Sequence, residues 1–292
     1  MAETTRADLL NQYERGYDLV VAKLEGMTEA ELDNREAPGE WTVREQVHHL
    51  AESELVAAVR LRRLIAEESP LLVPYDQEAC ARALFYDRPL DASLGVMKYA
   101  IRTNAALLRR ASDEQWTKQG ARHLEFGPMD LDRFLDIYAG HGASHLEQLE
   151  RARNGSAEIQ PAAPEAERPE ELTRLIERYE RGHRMVLDAL EGITAAELDH
   201  PEAPGEWSPR QVAHHLADSE STSVTRFFRL LTEVRPTIQS YDQDRYAAVL
   251  FYDRPIEDSL ALFRYARETA ALILRRLGPD DWGRTGIHSD DG

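Results

Sequence analysis

Residues 37–54 read APGEWTVREQVHHLAESE, and residues 203–220 read APGEWSPRQVAHHLADSE. Twelve of the 18 positions are identical, and every pair is separated by 166 residues. The same offset relates LFYDRP at 84–89 to LFYDRP at 250–255, Tyr13-Glu14-Arg15-Gly16 to Tyr179-Glu180-Arg181-Gly182, Trp41 to Trp207, and Trp116 to Trp282. A register kept without a gap over such a distance marks a duplicated domain. Within the quoted stretch, Thr42-Val43-Arg44-Glu45 has the spacing of a capping box. The threonine hydroxyl can take an amide of the first turn while Glu45 reaches back. In the second copy, Ser208-Pro209-Arg210-Gln211 offers a cap residue, proline at the first helical position and glutamine at the third. Both signals start a helix, from Val43 to about Ile65 in the first copy.

Outward from that helix the periodicity stays helical. Asp8–Leu24 carries apolar Leu9, Leu10, Tyr13, Tyr17, Val20, Val21 and Leu24 at 3.6-residue spacing. Further helices fit Leu90–Ala111 and Leu131–Arg153. No run alternates with period two long enough to argue for a sheet. The expected fold is all-α, an up-and-down four-helix bundle in residues 1–153 with Glu68–Pro89 crossing between its second and third helices. Residues 154–168, rich in Pro, Ala and Glu, read as a solvated linker. Residues 169–292 read as a second bundle lacking its last helix, since Gly292 is the counterpart of Phe126 and nothing corresponds to Gly127–Arg153. Either the chain is a clipped form of a longer two-bundle protein, or the second copy is a three-helix remnant. A remnant would expose an apolar groove that invites association, as in a homodimer.

Composition narrows the function. The 292 residues hold 35 Lys+Arg against 53 Asp+Glu, a net charge of −18. That balance argues against a general nucleic-acid binder and against an anionic membrane surface, both of which need clustered basic residues. A single cysteine, Cys80, can form no internal disulfide. No stretch approaches the roughly 20 apolar residues of a membrane span, mean hydropathy is −0.54, and the first residues lack a signal-peptide layout. A cytoplasmic protein acting on a small molecule is the expectation.

The chemistry-bearing candidate is His141-Gly142-Ala143-Ser144-His145. Two imidazoles four residues apart on a helix lie one above the other and can grip one metal ion. With ten histidines in the chain, such a pair arises by chance in roughly one chain in three, so spacing alone decides little. Phe134, Tyr138, His141, His145, Gln148 and Leu149 share one stripe, however, and stacked buried imidazoles need partners. A metal supplies them; so would tyrosine or carboxylate hydrogen bonds. A third ligand would come from His48-His49, repeated as His214-His215. Adjacent residues point about 100° apart on a helix, so at most one of each pair faces the axis and the other reads as a surface residue. Glu54 and Glu220 are either general bases, or partners of an imidazole, or solvated-face residues. Tyr75-Asp76 either lines a pocket mouth or packs as a turn. Trp41 and Trp207 read as hydrophobic plugs, and Cys80, whose counterpart is Tyr246, does not read as a nucleophile.

GEWTVREQVHHLAESE, PYDQ at 74–77 and HGASHLEQL at 141–149 together resemble the DinB/YfiT-like superfamily. The resemblance spans the first copy and the first three helices of the second. It implies tandem four-helix bundles and a divalent metal, zinc or nickel, held by three histidines. Matched position by position, the ligands fall on His49, directly before Leu50-Ala51, and on His141 and His145, with Gln148 as a neighbouring contact. It further implies a metal-dependent hydrolase or a transferase using a low-molecular-weight thiol. The alternative is a non-catalytic binding or stress-response module with a structural metal or none. His215 matches His49 but stands as an orphan ligand in the second copy.

Overall fold

A computed structural model describes residues 4–157 and 165–290. The chain divides into two compact units, residues 1–82 with 86–162, and residues 163–292 with 83–85. Of the expected linker, residues 158–164 lie outside the described residues.

The first unit contains α1 (Arg6–Leu24), α2 (Val43–Ala66), the short α3 (Gln77–Ala83), α4 (Asp91–Arg110), the short α5 (Asp113–Thr117) and α6 (Leu131–Arg153). The capping box forms as the sequence dictates: the Glu45 amide donates to Thr42 Oγ1 at 3.0 Å, and the Thr42 amide donates to the Glu45 carboxylate at 2.6 Å. At the start of α6, the Asp130 carboxylate accepts from the Arg133 amide at 2.8 Å. Helices α1, α2, α4 and α6 form the bundle. Its main packing pairs are α1 with α6, α6 with α2, α2 with α4, and α4 with α1. The ring order therefore sets α1 diagonal to α2, and α4 diagonal to α6. Connections of 24 residues or fewer, such as 25–42 and 111–130, are long enough to cross the end of the bundle. Glycines on facing helices help α1 and α6 to approach: a Cβ added at Gly142 would sit 3.7 Å from the Gly16 Cα.

The crossing segment is anchored by His48, which is fully buried. Its Nε2 lies 3.0 Å from the Arg88 carbonyl oxygen and its Nδ1 2.8 Å from Ser93 Oγ. A carbonyl only accepts, so Nε2 carries the proton and Nδ1 accepts from the serine. The Tyr86 hydroxyl and an Arg88 amine both reach the buried Glu52 carboxylate. The expected surface position of one histidine in the pair is therefore corrected: both His48 and His49 are buried, because α2 is covered on two sides by α4 and α6.

The second unit contains α7 (Glu170–Leu190), the short α8 (Ala195–Leu198), α9 (Pro209–Thr232), the short α10 (Gln243–Val249) and α11 (Glu257–Leu274). Helices α7 and α9 both pack on α11, as α1 and α2 pack on α4. The anchor recurs atom for atom, with His214 Nε2 3.0 Å from the Arg254 carbonyl oxygen and Nδ1 2.8 Å from Ser259 Oγ. Among the described residues no helix corresponds to α6. On α7 only Ile176 is buried, and Met185 is 65% exposed. The strands are two-residue bridges; one joins Asn34–Arg35 to Ser156–Ala157 and ties the end of α6 to the loop before α2.

Candidate metal centre

Helix α2 supplies His49, and α6 supplies His141 and His145. The ring centroids lie 5.3 Å apart for His49–His141, 5.1 Å for His49–His145 and 4.9 Å for His141–His145. One nitrogen from each ring lies within 4.8 Å of the others. Metal–nitrogen bonds of about 2.0–2.1 Å in a tetrahedral site leave ligand nitrogens roughly 3.4 Å apart, so modest rotations of these rings would close the cluster on one ion. Among the described residues this is the one group of three histidine, cysteine or acidic side chains able to do so.

The electrostatics fit a cation. Burial, reinforced by the neighbouring imidazoles, lowers the His49 pKa to about 3; burial and His145 lower that of His141 to about 4. Burial also lowers His145, against a hydrogen bond with Gln148. All three rings are therefore neutral at pH 7, with lone pairs available. The Nδ1 atoms of His49 and His145 are buried and have no hydrogen-bond partner. Buried polar nitrogens without partners are costly, and a metal satisfies such atoms.

Around this cluster, His141 Nδ1 lies 3.4 Å from Ser53 Oγ, and Ser53 in turn hydrogen-bonds Tyr75. Tyr138 is buried, and its hydroxyl accepts from Arg60 at 2.8 Å. The Trp41 ring centroid is 4.9 Å from that of His49. Trp41 thus forms a wall of the site, which the reading as a plug did not capture. A cavity of about 230 Å³ opens beside His145, lined among others by Trp41, Gln46, Gln77 and Gln148. Asp76 stands outside that lining; it is exposed, and its carboxylate accepts from the Ala79 amide at 2.9 Å at the start of α3.

Glu54 corrects the solvated-face reading, being only 3% exposed. Its carboxylate accepts from the Tyr13 hydroxyl at 2.6 Å, and Tyr13 accepts from the Asn104 amide at 3.0 Å. Burial raises its pKa to about 8, against the lowering effect of the Tyr13 bond. At neutral pH it is a protonated acid in the bundle core, so it is no ready general base. Its counterpart Glu220 is also buried, but Arg267, standing where the first copy has Ile101, pairs with it at 2.6 Å. His215 repeats the stacking of His49, with its ring 4.8 Å from that of Trp207. Its Nδ1 is buried without a partner, and it belongs to no group of three histidine, cysteine or acidic side chains able to hold one ion among the described residues. Ser53, Gln46 and the cavity-lining Glu36 and Glu40 of the loop before α2 were not singled out from the sequence. Ser53, four residues after His49, could have been found by helical spacing.

A helical bundle with a three-histidine cluster between its second and fourth helices defines the class. The chain belongs to the DinB superfamily, whose family model matches residues 12–149 and 178–292. It is similar to an Oceanobacillus iheyensis protein named "Putative metal-dependent hydrolase OB0782", with 34% identity over 41% of this chain and 69% of that protein. It is likewise similar to "Putative metal-dependent hydrolase YfiT" of Bacillus subtilis, with 33% identity over 43% of this chain and 71% of that protein. A solved structure of Bacillus subtilis YfiT aligns with 26% identity, covering 52% of this chain and 89% of that one, at a TM-score of 0.48. No helix among the described residues is long and apolar enough to cross a membrane.

Proposed function

We propose that the first unit is a metal-dependent hydrolase acting on a small molecule, with His49, His141 and His145 holding one divalent ion, zinc or nickel. The observation that carries this reading is the convergence of three neutral imidazoles from two helices, His49 buried and His141 and His145 half-buried, two of them with buried unpartnered nitrogens, beside an open cavity. Three protein ligands leave room for water or substrate, the layout of catalytic rather than structural sites. A bound divalent ion would supply Lewis-acid chemistry, polarising a carbonyl or lowering the pKa of a water or thiol. The chain's own residues do the rest. Ser53 and Gln148 orient the imidazoles of His141 and His145, and Trp41 closes one side. In hydrolysis the water oxygen bonds to the acyl carbon, the bond to the leaving atom breaks, and that atom takes up a proton.

The names of the relatives support hydrolysis. Transfer of a low-molecular-weight thiol is the competing chemistry for the same centre, and Cys80, buried in the first unit, is needed for neither. The second unit, with His215 alone, is proposed to carry no metal centre of its own. Metal analysis of the purified chain tests the reading. About one ion per chain is expected in the wild type and substantially less in His141→Ala and His145→Ala, with ester or amide hydrolysis lost in parallel. Thiol conjugation without hydrolysis would favour the transferase. A metal whose loss lowers only the melting temperature would refute both.

A further inference from the structure

The cavity beside His145 has an uneven charge lining. Glu36, Glu40 and Glu78 face it, against a single basic residue, Arg151. Arg151 is already engaged, 2.7 Å from the Glu36 carboxylate and 3.8 Å from that of Glu147. Glu40 and Glu78 form no ion pair within 4 Å among the described residues, although Arg151 also feels the Glu40 charge at longer range. Acidic side chains are abundant in this chain, so charge by itself would say little. An independent feature points the same way. Gln46, only 4% exposed, lines the same cavity. Its amide nitrogen donates to the Trp41 carbonyl at 3.3 Å, whereas its side-chain oxygen is buried with no hydrogen-bond partner. A buried acceptor lacking a donor is costly, and the missing group is an N–H or O–H. The wall therefore offers an excess of acceptors, the Glu40 and Glu78 carboxylates and an unsatisfied amide oxygen, beside the donors of Trp41, Gln77, Gln148 and Arg151. All three carboxylate positions recur in the second copy, as Glu202, Glu206 and Asp244.

We propose that this cavity selects a small cationic molecule bearing an amine. Its ammonium would lie against Glu40 and Glu78 with a donor to Gln46, leaving its other end toward the histidines. A volume of about 230 Å³ suits a compact ligand, below the roughly 300–1,000 Å³ of sites for drug-sized molecules. The same wall disfavours polyanionic reactants, which would meet like charge on entering. The inference rests on the reading of the histidine cluster as the reactive end of the cavity, but its test does not require turnover.

Three matched amides serve as probes: 4-aminobutanamide (cationic), pentanamide (neutral) and succinamate (anionic). Their binding to the zinc-loaded full chain is measured by calorimetry and ligand-observed NMR at low and moderate salt. The expected order is cation, then neutral, then anion, with the cation's advantage shrinking as salt rises. In the double variant Glu40→Gln/Glu78→Gln that advantage should fall by about twofold to fivefold per carboxylate, the range of exposed ion pairs, while metal content stays at the wild-type level. Equal binding of cation and neutral probe, preference for the anion, or no binding of any probe overturns the proposal. Ordered binding without turnover of any ester or amide would leave this inference standing and sink the hydrolase reading instead.

Discussion

Glu54→Gln should change how the stability of the first unit depends on pH. The carboxyl has an ordinary pKa of 4.5, and in the fold burial raises it to about 8. Between those values the folded chain keeps the proton that the unfolded chain releases. The stability this group contributes is therefore complete below about pH 4.5 and is lost as pH rises toward 8. One pKa unit corresponds to about 1.4 kcal/mol, so the full span is about 5 kcal/mol and the part expressed by pH 7 about 3 kcal/mol. Glutamine has nearly the shape of a protonated glutamate, can accept the Tyr13 hydroxyl in the same way, and does not ionise. Relative to wild type, the variant should therefore gain stability steadily from pH 5 to pH 8. The assay is urea unfolding of chelator-treated wild type and variant at pH 5, 6, 7 and 8. Hydrogen exchange of α2 peptides assigns the transition to the first unit. A stability difference that is the same at pH 5 and pH 8, or that moves against the variant as pH rises, would refute the argument.

The adjacent histidines should separate cleanly. His48→Ala leaves the Arg88 carbonyl and Ser93 without their buried partner and should cost about 2–4 kcal/mol while metal binding survives; His49→Ala should abolish metal binding, as metal analysis and urea unfolding of both variants will reveal. Burial lowers all three imidazoles, His49 to about 3 and His141 to about 4, so protons compete with metal less readily here than at ordinary histidines. Dialysis at graded pH should show the ion retained at pH 5, and half-loss near pH 6.5, where an ordinary imidazole titrates, would count against the histidine cluster. Thr42→Ala removes the cap of α2 and should lower stability by about 1 kcal/mol in thermal or urea unfolding, whereas Thr42→Ser should come close to wild type.

Much of the architecture was open to reading from local chemistry. The capping residues Thr42 and Ser208 placed the starts of α2 and α9, because a helix start is set by hydrogen bonds within four residues. The apolar stripes placed α1, α4 and α6 for the same short-range reason. The fate of Glu54 was not legible. Whether a carboxylate in a helix faces water or core depends on which neighbours cover it, and α1 brings Tyr13 onto it from 41 residues away. His48 misled for a related reason: a helix covered on two sides can bury adjacent residues, which point about 100° apart.

What the chain's sequence determined was a pair of helical repeats and an HxxxH pair on the last helix of the first, since periodicity, caps and internal repetition are properties of neighbouring residues. Only the tertiary structure decided that α1 lies diagonal to α2 and α6 beside α2. That arrangement brings His49 to His141 and His145 and opens a cavity walled by Glu40, Glu78 and Gln46. Such convergence depends on how whole helices pack and on where long connections cross, and no spacing along one helix encodes it.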